Sequence, residues 1–203
     1  MEEYLPGLRP PLEAQLIDLA DEIAYNTADL DDAVAAGLLG PEEVAAEAPY
    51  YGELYEAAEQ QFPGAPESAR FHETLRCLID ALVSGLINGT VRRASEAGLE
   101  TVEDVRRHPA RLAAFTPETE TANRDLKRFL HRRVYTAPAL REERDRAAGM
   151  IAELFEFFVE QPERMPAAHG ELIPGEPAYR VVCDYLAGMT DGFFLRTYRE
   201  MLG

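Results

Sequence analysis

Asp18, Asp21, Glu22, Asp29, Asp31 and Asp32 crowd into fifteen consecutive positions. On a helix, residues three or four apart share a face, so Asp18, Asp21, Tyr25, Asp29 and Asp32 fall on one ridge. Like charges at that spacing oppose each other by roughly a few tenths of a kcal/mol per exposed pair. A divalent cation, arginine partners or water must therefore compensate them. Carboxylate oxygens suit Mg²⁺ and Mn²⁺, which makes Asp21 a candidate metal ligand. A phenol one turn on, Tyr25, can pack on a sugar ring. A carboxylate two turns on, Asp29, can accept a hydrogen bond from a sugar hydroxyl. The same residues also describe an ordinary acidic helix face, and composition leaves both readings open. Two acids on one helix cannot flank a substrate from opposite sides, which argues against glycoside hydrolysis.

The elements that must carry these residues read as helices. No stretch alternates with period two and β-branched enrichment, so strands are not expected. Pro10 and Pro11 open a helix over about 11–36, with Leu16, Ala20, Ile23, Thr27, Leu30 and Val34 as its apolar stripe and Gly37 and Gly40 after its end. A short helix follows Pro41, and another runs near 49–61. Residues 66–97 read as a long helix whose apolar face is Phe71, Leu75, Leu78, Leu82, Leu86 and Ile87. Gly85 and Gly89 allow a neighbouring element to approach it closely, and Gly98 ends it. Further helices are expected at 101–108, 117–136, 138–160 and 176–202, the last bent near Gly188 to Gly192, with a loop of at most short turns over 161–176. The spacing predicts an all-α fold, an irregular multi-helix bundle, in a single helical domain over residues 1–203 with no marked boundary.

The bulk numbers narrow the class. The 203 residues suffice for one compact core, and the net charge is −17. Residues 1–63 hold fifteen acids and one base, whereas 64–150 hold thirteen acids and fifteen bases. That sign disfavours non-specific nucleic-acid binding. The basic cluster Arg124, Lys127, Arg128, His131, Arg132, Arg133, Arg141, Arg144 and Arg146 either faces a polyphosphate or is a solvated surface with local ion pairs. No run of apolar residues suggests a membrane span, and the acidic, proline-containing start does not resemble a signal peptide, so a cytoplasmic location without membrane partners is expected. Cys77 and Cys183 sit among apolar residues and read as buried free thiols. His72, His108, His131 and His169 read as core, helix-end or surface residues and not as metal ligands. Phe155, Phe157, Phe158, Phe193 and Phe194 read as core or subunit contacts.

Three blocks carry a family resemblance. PPLEAQLIDLADEIAYNTADLDDAVAAGLL resembles a helix of the bacterial dGTPase-like proteins of the HD superfamily, and LKRFLHRRVYTAP and RVVCDYLAGMTDGFFLRTY resemble two later blocks in the same order. The resemblance implies an all-helical fold and metal-dependent (Mg²⁺ or Mn²⁺) hydrolysis of dNTPs to deoxynucleoside and inorganic triphosphate. It places Asp21 at the last metal-ligating aspartate and Tyr25 and Asp29 at positions that contact deoxyribose. Arg180, Asp184 and Asp191 match the closing block, with Arg180 as a candidate substrate-binding residue. It also implies homo-oligomers. The sequence departs from the pattern in having Ala28 where many relatives have histidine, and Gly192 where many have arginine. It contains no His-Asp pair, and all four histidines follow Asp21, whereas the family's other metal ligands precede it. The expectation is a chain that is catalytically incomplete alone and binds metal weakly. The alternative is a non-catalytic helical module for nucleotide binding or oligomerisation.

Overall fold

The computed structural model describes residues 7–170 and 175–203, and these are helical with no strand among them. The readings of the chain start and of the 161–176 loop fall partly on residues 1–6 and 171–174, which lie outside the described residues. The chain divides into two compact units, Met1–Thr136 and Ala137–Gly203, a division that no shift in composition marks.

In the first unit the helices are α1 (Leu12–Ala35), α2 (Pro41–Glu47), α3 (Pro49–Gln61), α4 (Glu67–Glu96), α5 (Val102–Arg107) and α6 (Pro117–Leu130). Prolines begin α2, α3 and α6, where the missing N–H costs nothing. Gly37 and Gly98 close α1 and α4 with φ of 69° and 61°, the left-handed conformation that glycine adopts without a Cβ penalty. Thr101 caps α5 by accepting from the Asp104 N–H at 3.2 Å, and Asp104 accepts from the Thr101 N–H at 2.9 Å. Ile23 and Leu30 of α1, Tyr51 of α3, Phe71, Leu78 and Leu82 of α4, and Leu126, Phe129 and Leu130 of α6 make the core.

Two of the expected apolar positions face outward. Ala20 is exposed, and so is Ile87, because α4 is buried along Phe71, Leu75, Leu78, Leu82 and Leu86 and Ile87 lies one step round from that line. Part of α4 also reaches a mean hydropathy of 1.2 over eighteen residues, long and apolar enough by composition to cross a membrane, contrary to the sequence reading; 44% of that window is buried inside the protein.

The stretch between α5 and α6 has no regular structure and is buried at Leu112, Ala113, Ala114 and Phe115. A buried stretch without regular structure must find partners for its N–H groups. Gln15 Oε1 accepts from the Leu112 N–H at 2.8 Å, Thr90 Oγ1 from the Ala114 N–H at 3.1 Å, and the Gly85 carbonyl from the Thr116 N–H at 3.0 Å. Gly85 and Gly89 permit this approach. A Cβ on Gly85 would overlap Thr119, and one on Gly89 would overlap the backbone of Ala114 and Phe115.

The second unit holds α7 (Pro138–Glu160), α8 (Ala167–Gly170), α9 (Ala178–Ala187) and α10 (Asp191–Leu202). The expected bend is a break at Gly188–Thr190, after which the Thr190 hydroxyl accepts from the Phe193 N–H. The 161–176 stretch contains the 3₁₀ turn Pro162–Arg164 and α8. Leu154, Phe158, Met165, Val181, Val182 and Tyr185 form the core, with Phe155, Phe157 and Phe194 packed against it. Both cysteines are free, but the sequence reading placed them too deep: Cys183 is exposed and Cys77 half-buried.

Candidate functional site

Helix α1 is anchored by its inner face, leaving the acidic ridge outward. Ile23, Asn26, Thr27 and Leu30 are buried. Asp21 and Tyr25 stand on the outside, Tyr25 at 64% exposure, and Asp29 is half-buried. The structure therefore brings Asp21, Tyr25 and Asp29 onto one open face, at the one-turn spacing expected. Arg180 belongs to the second unit, where its Nε donates to Asp184 at 3.0 Å.

The ridge is compensated mainly by partners from later in the chain. Arg111 reaches Asp18 at 3.2 Å and donates to the Gln15 carbonyl. Glu22 accepts from Lys127 at 2.8 Å and from the Asn123 amide at 2.8 Å, and Asn123 in turn accepts from Asn26 at 3.2 Å. The Tyr135 hydroxyl donates to Asp29. Burial, followed by that hydrogen bond and the Asp29 charge, pushes the Tyr135 phenol up to about 12. Asp21, the matched metal position, is exposed, and among the described residues no side chain pairs with it, so its oxygens are open to an incoming ligand.

Tyr135 and Glu22 are the residues that sequence reasoning passed over. Helix α6 runs into a π-helical turn, His131–Tyr135, which sets Tyr135 against α1. Such turns recur at functional sites, but nothing in the hydrophobic period marks this one. Much of the basic cluster is committed to protein carboxylates. Arg132 pairs with Glu47, Arg133 with Glu47 and with Glu43 at 3.0 Å, and Arg128 with Asp125 at 3.5 Å. The Glu43 carboxyl is held below its ordinary range, first by the Gly40 N–H and then by Arg133.

The histidines do not gather. His72, read as a core or interface residue, is largely exposed and faces Asp31 at 3.6 Å. The His108 ring is 2.9 Å from the Ala110 carbonyl, His131 packs edge-on to Tyr135, and His169 leans on Tyr185. Among the described residues no three His, Cys, Asp or Glu side chains group as a metal site. The donor set fits one oxygen ligand to a divalent cation, from Asp21.

Residues 113–200 match a phosphohydrolase-associated domain. A deoxyguanosinetriphosphate triphosphohydrolase-like protein of Geobacter sulfurreducens is 35% identical over 201 residues, covering 99% of this chain and 52% of that protein. Proteins of the same description from Leptospira interrogans and a Ruegeria species are 33% and 36% identical, covering 95% and 93% of this chain and 51% and 50% of their own lengths. The chain thus spans about half the length of the curated relatives it matches, and over that half it is similar throughout to the deoxyguanosinetriphosphate triphosphohydrolase-like proteins.

Proposed function

We propose that this chain supplies the sugar-facing side and one metal ligand of a deoxynucleoside triphosphate triphosphohydrolase site, and that it is catalytically incomplete alone. The observation that carries this reading is the open α1 face, on which an unpaired Asp21, an exposed Tyr25 and an Asp29 fixed by Tyr135 follow one another at single-turn spacing. Tyr25 offers a flat apolar surface to a deoxyribose ring. Asp29 keeps lone pairs for a sugar hydroxyl while Tyr135 holds its orientation. Asp21 offers a carboxylate oxygen to Mg²⁺ or Mn²⁺. A bound divalent cation supplies acidified water and charge neutralisation at the phosphates. In the complete reaction, water oxygen adds to the α-phosphorus, the bond to the sugar oxygen breaks, and deoxynucleoside and triphosphate leave.

Lys127 of the basic cluster is tied to α1 through Glu22. Arg180, which pairs with Asp184 inside the second unit, is kept as a candidate substrate-binding residue on the family resemblance alone. Homo-oligomer formation and dNTP as partner belong to the same proposal.

The test is triphosphate release from each dNTP with Mn²⁺ or Mg²⁺, alongside Mn²⁺ titration. No release and weak Mn²⁺ binding that Asp21→Ala removes are expected. Release abolished by Asp21→Ala would overturn the incompleteness.

A further inference from the structure

Helix α1 carries its candidate site residues on the outside and is held from the inside, in part by α6. Apolar side chains such as Ile23, Leu30, Leu126 and Leu130 are buried in the core that the two helices share. Apolar contact is non-directional and sets no rotation by itself. A slip of one residue turns a helix by about 100°, which would carry Asp21 and Tyr25 off the open face. Something directional must therefore fix the angle at which α1 lies on α6.

Two amides sit between the helices. Asn26 and Asn123 are each 4% exposed. Asn26 Nδ2 donates to Asn123 Oδ1 at 3.2 Å, and Asn123 Nδ2 donates to Glu22 Oε1 at 2.8 Å. The other Glu22 oxygen accepts from Lys127 Nζ at 2.8 Å. Turning the Asn123 amide over would set its NH₂ against that of Asn26 and its oxygen against the Glu22 carboxylate, so the relay has one sense. A buried amide left unpaired is costly, so a rotation of α1 that breaks the relay is penalised. Glu22 directly follows Asp21, and Asn26 directly follows Tyr25. Seating Glu22 and Asn26 on Asn123 therefore aims Asp21 and Tyr25 outward. Asp29 lies three residues beyond Asn26, where the Tyr135 hydroxyl donates to it.

We propose that Asn123 is a positioning residue for the candidate site: acting from α6 on Asn26 and Glu22, it fixes the rotation of α1 at which Asp21 and Tyr25 face outward and Asp29 meets Tyr135. The roles of those α1 residues rest on the functional reading above, whereas the fixing of α1 does not. A buried side chain away from the open face thereby sets where the sugar and metal contacts stand.

The experiment uses Tyr135→Phe as the reporter of α1 rotation, without nucleotide or metal, so its outcome is separate from that of triphosphate release. In the otherwise wild-type chain this substitution is expected to lower the urea midpoint. Asn26→Leu with Asn123→Leu replaces both amides by apolar groups of similar size, which keeps the interface packed without leaving either amide unpaired. In that background Tyr135→Phe is expected to cause no shift, and the Tyr135 phenol, followed by difference absorbance, is expected to titrate below about 12. Leu126→Val, a core change outside the relay, is expected to leave the Tyr135→Phe shift in place. The proposal is overturned by a shift that persists in the double-leucine background, or by one that Leu126→Val removes equally, which would make the effect general loosening. No shift in the otherwise wild-type chain overturns it too. Side-chain amide exchange in the unsubstituted protein gives a reading that needs no variant to fold. The Asn26 and Asn123 amides are expected to exchange more slowly than that of exposed Gln61, and equal rates overturn the proposal.

Discussion

Asp29 and Tyr135 are 106 positions apart and share one hydrogen bond, which makes Tyr135 a positioning residue for the candidate sugar contact. Replacing it with phenylalanine keeps the ring and leaves a half-buried carboxylate without its donor. Hydrogen bonds to charged groups contribute about 1.5 to 3 kcal/mol, and partial exposure puts Tyr135→Phe at about 1 kcal/mol, measurable by urea denaturation. An unchanged midpoint would show that the bond contributes nothing. The pH dependence follows with a definite sign. Folding favours the neutral phenol and raises it from 10.0 to about 12, so its contribution is whole below pH 10 and is lost as pH climbs through 12. With nine tyrosines in the chain, the difference in phenolate absorbance between wild type and Tyr135→Phe isolates this one. Titration of that difference near pH 10 would remove the shift. Asp21, Tyr25 and Asp29 were legible in the sequence because helical spacing alone fixes a shared face. Tyr135 was not, because its place depends on a π-helical turn and on a partner far away in the chain.

Among the elements, helix ends were the most legible feature, since proline and glycine mark them through backbone chemistry that needs no tertiary partner. The buried irregular stretch 112–115 was not legible, because its N–H groups are satisfied by polar side chains on α1 and α4. Gln15→Leu tests that account. It removes the acceptor of the Leu112 N–H and the donor that reaches the Pro10 carbonyl at 2.9 Å. Leaving such groups unpaired costs about 1 to 3 kcal/mol, and a loss within that range is expected in thermal or urea unfolding. Glycines give opposite signs according to the space around them. Gly89→Ala drives a Cβ into the backbone of Ala114 and Phe115 and is expected to destabilise by about 1 to 3 kcal/mol. Gly149, at an exposed position of α7, has nothing within 4 Å of its would-be Cβ, and Gly149→Ala is expected to stabilise by about 0.5 to 1 kcal/mol through helix propensity. If both changes moved the midpoint the same way, local space would not be what decides.

At the scale of the whole molecule the charge balance sets the response to salt. Thirty-seven acids face twenty bases, and the surplus is concentrated in residues 1–63. The bases of α6 and the π-helical turn answer part of it through Lys127–Glu22 and Arg133–Glu43 at 2.8 and 3.0 Å. Those contacts lie well within the Debye length, about 10 Å at 0.1 M salt, so added NaCl weakens them little. Repulsions between acids spaced more widely than that are screened strongly, and exposed pairs contribute only about 0 to 1 kcal/mol each to oppose the gain. Relief of self-repulsion therefore wins, and the thermal midpoint is expected to rise by about a few degrees between low salt and 0.2 M NaCl. A fall would mean that the cross-helix ion pairs dominate. Mg²⁺ at matched ionic strength adds a second comparison. A single carboxylate such as Asp21 holds the ion too weakly to add stability by binding linkage, so the Mg²⁺ and NaCl midpoints should coincide. A further rise with Mg²⁺ that Asp21→Ala abolishes would show that the chain holds the metal without the other half of the family sequence.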